Sequence, residues 1–202
     1  MGIYRSMIKL KDILLEAKSP DIFIPRRIED RIDRYVKKHL RYNSDEDLKL
    51  RKLDIVELPK SLNGITLNAG VSFSYNKLTS LKNSPRVVNG NFWCTENQLT
   101  SLEGAPRIIK GNFSCSHNKI KSLDGGPEYV GDGYDVCHNL LTNLKGMPEH
   151  LNGNFSCNDN KLTSLEGAPK FVGGHFYCAR NSVKFTEEQV RAVCDVKGYI
   201  LL

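Results

Sequence analysis

His117, Cys137, His138 and Asp159 are the residues whose types could do chemistry. Together they could hold a metal ion or form an acid–base pair. Their spacing argues against both. His117 and His138 are separated by the same step that separates Cys94 from Cys115 and Cys157 from Cys178. Structural zinc sites use short spacings such as Cys-x-x-Cys, and none of the six Cys provides one. The serines lack the surroundings of a nucleophile elbow. Gly131-Asp-Gly133 lacks the strand–turn–helix setting of a phosphate loop and reads as a turn variant. No catalytic residue, metal ligand, cofactor or small-molecule substrate is expected, and the chain reads as a non-enzyme. Cys94, Cys115, Cys157 and Cys178 read as small buried apolar side chains. Cys194 joins them, and Cys137 points outward. Free thiols in a chain with no secretory signal fit a reducing compartment.

The elements behind these residues come from an internal repeat. Asn76, Asn97, Asn118, Asn139, Asn160 and Asn181 recur at one unchanging step, with no insertion or deletion between them. Leu81, Leu102, Leu123, Leu144 and Leu165 keep the same step, as do Pro85, Pro106, Pro127, Pro148 and Pro169. Phe92, Phe113, Tyr134, Phe155 and Phe176 form an aromatic column, with Val71 in the first copy. Phe73, Cys94, Cys115, Val136, Cys157 and Cys178 form the next apolar column. In each unit the alternation Phe92-x-Cys94 is strand periodicity. One unit cannot bury its own strand, but stacked units can, as a solenoid with a parallel sheet of about six short strands. The Gly-x-Pro turn predicts a return segment that is neither strand nor long helix. The Asn column predicts a buried ladder of amide bonds between coils.

The string Phe92-x-Cys94-x-x-Asn97-x-Leu99-Thr-Ser-Leu102-x-Gly104-x-Pro106 resembles a leucine-rich repeat. The match is to the strand-and-turn segment Leu-x-Leu-x-x-Asn-x-Leu, with Phe and Cys in two Leu positions. The Asn-x-Leu-Thr-x-Leu portion looks like the short bacterial class seen in type III secreted effectors. The resemblance covers about residues 55–185. It implies an α/β, β-rich, leucine-rich-repeat-like solenoid that binds a protein partner on its concave face. The expected division is a helical extension at 1–52, the solenoid at 53–185 and a cap at 186–202. Thr186-Glu-Glu-Gln189 is a capping box for a helix over about 186–196. Val190, Val193, Cys194 and Val196 would cover the last coil, and residues 199–202 could close the sheet.

The outward columns name the candidate binding residues. Trp93 is the single Trp of the chain and lies in one column with Asp135 and Tyr177. Tyr75, His117, His138 and Arg180 lie in the column just past the strand. Trp and Tyr are enriched among interface anchors, so Trp93 and Tyr177 lead.

Two other readings concern the N-terminal extension. Residues 26–41 predict a basic helix of net charge +4 that could attract nucleic acid. Its interleaved charges fit a solvated docking helix better. The segment Met7–Ala17 resembles the leader of internal head proteins of tailed phages, cut after a Leu-x-Glu motif, here at Glu16. The chain would then act as a virion-internal or host-takeover factor. A location in the bacterial cytosol or in a phage particle is expected. No apolar run approaches the roughly 20 residues a bilayer span needs. The formal net charge of +6 is spread along the chain and makes no single basic face.

Overall fold

The computed structural model describes residues 28–42 and 45–202. The Met7–Ala17 segment with Glu16, and Arg26 and Arg27 of the basic stretch, fall outside these residues. Among the described residues fifteen two-residue strands, numbered in chain order, wind in coils of 21 residues, the separation of Asn91 and Asn112, which bond across adjacent coils. The long sheet is parallel and holds β1 (Leu48–Lys49), β3 (Val71–Ser72), β5 (Phe92–Trp93), β7 (Phe113–Ser114), β9 (Tyr134–Asp135), β11 (Phe155–Ser156), β13 (Phe176–Tyr177) and β15 (Ile200–Leu201), in that order. It has eight strands where the repeat alone predicts about six. Seven steps at about 4.8 Å make it about 34 Å long.

The coils of β3 through β13 each point one aromatic inward. Phe73, Phe92, Phe113, Tyr134, Phe155 and Phe176 stack through the core with ring centres 4.9–6.3 Å apart. The pairs are mostly edge-on or tilted, the arrangements aromatic quadrupoles favour. Cys94, Cys115, Cys157 and Cys178 fill beside them, buried and free. The Leu columns close the core from the opposite side, and Leu78, Leu99, Leu102, Leu123, Leu141 and Leu144 are fully buried. Val183, which follows Asn181 as Leu99 follows Asn97, is exposed instead, because no further repeat covers it.

The stack has one imperfection. Tyr134 is fully buried and its hydroxyl has no hydrogen-bond partner. Burial pushes its phenol well above the usual range. An unmet buried hydroxyl costs about 1–3 kcal/mol. Tyr134→Phe is therefore expected to stabilise the fold by about 1 kcal/mol, read as a melting temperature about 3 °C higher.

The return segment corrects the expectation drawn from Gly-x-Pro. It carries a second row of strands: β2 (Thr66–Leu67), β4 (Val87–Val88), β6 (Ile108–Ile109) and β8 (Tyr129–Val130) form one sheet. Then β10 (His150–Leu151), β12 (Phe171–Val172) and β14 (Asp195–Val196) form another. The Pro lies too early in each coil to interrupt the ladder. The second strand residue turns inward, so Val88, Ile109, Val130, Leu151 and Val172 are buried. The first is a β-branched or aromatic residue, His150, which stacks on Phe171 at 4.2 Å, or Asp195 in β14. The turn itself needs its Gly. Gly167 has φ +82°, and a Cβ there would lie 2.4 Å from the backbone N of Lys145 in the coil before.

The two ends are closed by short helices. Helix α1 (Ile28–Tyr42) buries Ile32, Val36 and His39. Asp33 accepts the backbone N–H of Ser61 at 2.8 Å and pairs with Lys37, while His39 Nε2 bonds the carbonyl of Glu46. Arg34, Lys37, Lys38 and Arg41 stay exposed. Helix α2 is Glu187–Arg191, shorter than the expected 186–196. Its capping box is formed, with Thr186 Oγ1 accepting from Gln189 N and Gln189 Oε1 accepting from Thr186 N. Val190, Cys194 and Val196 cover the last coil, but Val193 is exposed because the helix ends at Arg191 and Val196 enters β14.

Candidate functional site

The outward face of the long sheet is built on the Asn ladder. In each coil the Asn follows the strand by four residues and bonds both within its own turn and backward to the coil before. Asn139 Oδ1 accepts the N–H of Ile120 at 3.0 Å. Its Nδ2 donates to the carbonyls of Cys115, Val136 and Cys137, each at 3.1 Å. Asn97, Asn118 and Asn160 repeat the pattern, and Asn76 and Asn181 make equivalent cross-coil bonds at the ends.

The residue before the Asn lies in the left-handed region, as does Lys52 before Leu53 in the first coil. Tyr75, Glu96, His117, His138, Asp159 and Arg180 all have φ between +52° and +60°. None is Gly, although Gly would adopt that conformation with no steric penalty. Their side chains form a row along one rim of the face. His117 and His138 stack with ring centres 4.1 Å apart. Glu96 lies 3.7 Å from His117, and Asp159 lies 3.4 Å from His138. Arg180 grips Asp159 with two bonds of 2.5 and 2.6 Å. That bond to Arg180 is the chief reason the Asp159 carboxyl sits below its ordinary range. The stabilisation it brings is present above the ordinary carboxylate range and is lost as pH falls through the lowered value.

The middle columns are polar and ordered. Asp135 accepts from Ser114 Oγ at 2.8 Å and from the N–H of Cys137 at 3.0 Å. Ser114 and Ser116 are buried. Cys137 Sγ lies 2.7 Å from Ser156 Oγ. Burial, then the charge of Asp135, pushes the Cys137 thiol up to about 12. The thiolate is the reactive form, so at pH 8 this thiol should react with a disulfide reagent roughly fiftyfold more slowly than a free cysteine, its small thiolate fraction being partly offset by greater nucleophilicity. The rate should rise about tenfold per pH unit until about pH 12. Absorbance at a range of pH values measures it. Among the described residues no three of His, Cys, Asp and Glu gather as a metal site.

The candidate residues do not form one cluster. Trp93 and Tyr75 line the same groove at the β1 end. Tyr177 lies four strands further along Trp93's column, against His175 at 5.9 Å. Lys49, Arg51 and Lys52 belong to the groove region and lie outside the regular repeat. Their coil runs 23 residues to the next, with Leu48 paired to Val71 and the Asp47 carboxylate bonded to Gly70 N. Leu53 stands where later coils have Asn. The string Leu48-x-Leu50-x-x-Leu53 was the available signal.

No protein-family model matches the chain, and no curated protein matches it. Among solved structures, the Shigella effector LRR domain aligns with 92% of this chain and 82% of its own, at a TM-score of 0.65 and 23% identity. The fold is a leucine-rich-repeat solenoid. At that coverage the aligned share takes in most of the coils. No helix among the described residues is long and apolar enough to cross a membrane.

Proposed function

We propose that the chain is a protein-binding module that works by recognition rather than catalysis, and that it uses the outward face of the long sheet. In a solenoid this face is extended and concave, and suits a protein partner. The observation that carries the reading is the row of six non-glycine residues in the left-handed region. Six Tyr, Glu, His, Asp and Arg side chains sit where Gly would relieve the backbone. Strain kept along one line of a surface is the mark of side chains retained for contact. Tyr75, Trp93, His117, Asp135, His138, Tyr177 and Arg180 are the proposed contacts, with Glu96 added to the row. The six free thiols fit action in a reducing compartment, such as the cytosol of a bacterial host.

A pull-down tests this. Tyr75→Gly with Glu96→Gly should lose the partner while stability holds or rises by up to about 1 kcal/mol. Trp93→Ala with Tyr177→Ala should lose it too. Tyr129→Ala with Arg107→Ala, on the second row, should keep it. Retention by the first two pairs and loss by the third would move the site to the other side of the solenoid.

A further inference from the structure

The outward face ends near β1 in a groove of about 390 Å³, lined by Lys49, Arg51, Ser72, Tyr75, Trp93 and Thr95. Asp47 also lines it, but its Oδ1 already accepts the N–H of Gly70 at 2.8 Å. Arg51 Cζ and Lys52 Nζ each stand 5.3 Å from the ring centre of Tyr75. Among the described residues neither Lys49 nor Arg51 forms an ion pair, whereas the nearby Lys77 is held by Asp54 at 2.9 Å. The groove thus combines two lining cations, a third at Lys52 beside the Tyr75 ring, the one carboxylate of Asp47, two aromatic surfaces and hydroxyl groups that can donate.

The rest of the face decides which anion fits. A single-stranded nucleic acid needs a basic groove that tracks its backbone over several nucleotides. Here the unpaired cations stop at Tyr75, and the same face then presents Glu96 and Asp135, while Asp159 further along is held by Arg180. A phosphate chain running along the sheet would meet carboxylates within a few strands. A peptide with carboxylates at one end and neutral or basic residues after them meets complementary charge throughout.

We propose that this groove binds an acidic peptide segment of a protein partner, its carboxylates on Lys49, Arg51 and Lys52 and an apolar side chain against Tyr75 and Trp93. The proposal rests on the partner-binding reading of this face and names the partner's chemistry. It also sets the direction of binding, with the partner's acidic end at β1.

The chain carries one Trp, and it lines the groove. Intrinsic fluorescence therefore reports occupancy directly. The full chain is titrated with a blocked Glu-Glu-Leu-Glu-Glu peptide, its Gln-Gln-Leu-Gln-Gln counterpart and decathymidylate. The acidic peptide should change Trp93 emission saturably, with a midpoint that rises severalfold between about 50 and about 200 mM salt. The Gln peptide should bind at least about tenfold more weakly. Lys49→Gln with Arg51→Gln, both on exposed side chains, should weaken the acidic peptide at least about tenfold at an unchanged melting temperature. No saturable response, an equal response to the Gln peptide, or tighter binding of decathymidylate would overturn the proposal. If the acidic peptide fails while the pull-down partner still depends on Tyr75 and Glu96, only the acidic assignment falls. If the pull-down is also indifferent to those residues, the reading of the face falls with it.

Discussion

Asn139→Ala should lower the stability of the fold by about 3 kcal/mol, and the melting temperature by about 9 °C. The size follows from what each group loses. The N–H of Ile120 has Asn139 Oδ1 as its partner, and Ile120 is fully buried, so the truncation orphans a donor. An orphaned buried donor costs about 1–3 kcal/mol. The acceptors fare better, because the ladder is redundant. The Cys115 carbonyl keeps Asn118, the Val136 carbonyl keeps Asn160, and the Cys137 carbonyl keeps the N–H of His117. Each loses one of two donors rather than all, which adds a smaller amount. The cost would be near twice as large if the Asn residues acted singly.

Asn139→Asp separates this account from a general loss of packing. The new carboxyl faces three carbonyl oxygens at the distances that now hold Nδ2. A carboxylate there repels all three, so its folded pKa is raised above the unfolded value. A raised acid binds its proton more tightly when folded, and stability is then greatest below the unfolded carboxyl range and falls as pH rises through it. Asn139→Asp should therefore be more stable at about pH 4 than at pH 7, opposite to the effect of Asp159. Thermal melts at the two pH values decide it. A variant less stable at the lower pH would mean that the amide does not face the carbonyls.

These two residues also show why the sequence was legible in some places and opaque in others. Asn139 sits in a column whose members must all do one job, so its identity repeats and can be read. The aromatic column is legible for the same reason. The left-handed row is the opposite case. Its conformation belongs to the turn, since Lys52 before Leu53 adopts it too at φ +57°, and Tyr75, Glu96, His117, His138, Asp159 and Arg180 share no chemical property that would announce it. The second row of strands hid because its outward residues vary freely and it has a single inward column, Val88 to Val172, with no second apolar position beside it to give an alternation. The groove hid because its cations lie in the one coil whose length and ladder residue both differ. Function, where it depends on difference between coils, is found where the repeat stops being informative.

Phe113→Ala carries the largest expected effect and tests the core as the ladder variant tests the face. Phe113 is fully buried between Phe92 at 5.9 Å and Tyr134 at 4.9 Å. Removing a buried ring costs about 3–5 kcal/mol, because the cavity adds to the lost transfer energy. Here little collapse can fill the cavity. Both neighbouring rings are tied to backbone strands whose spacing is set by the ladder. The melting temperature should fall by about 12 °C. Position matters further, since each coil contacts only its neighbours. A lesion at Phe113 lies in mid-stack, with coils on both sides. It weakens the coupling between the two halves, so unfolding should broaden and lose its single-step character. Phe176→Ala, beside the last strand β15, leaves the central coils coupled and should lower the midpoint with one sharp transition. Calorimetry of the two variants distinguishes them. Equal sharpness in both would show that the solenoid unfolds as one unit and not as a chain of neighbour contacts.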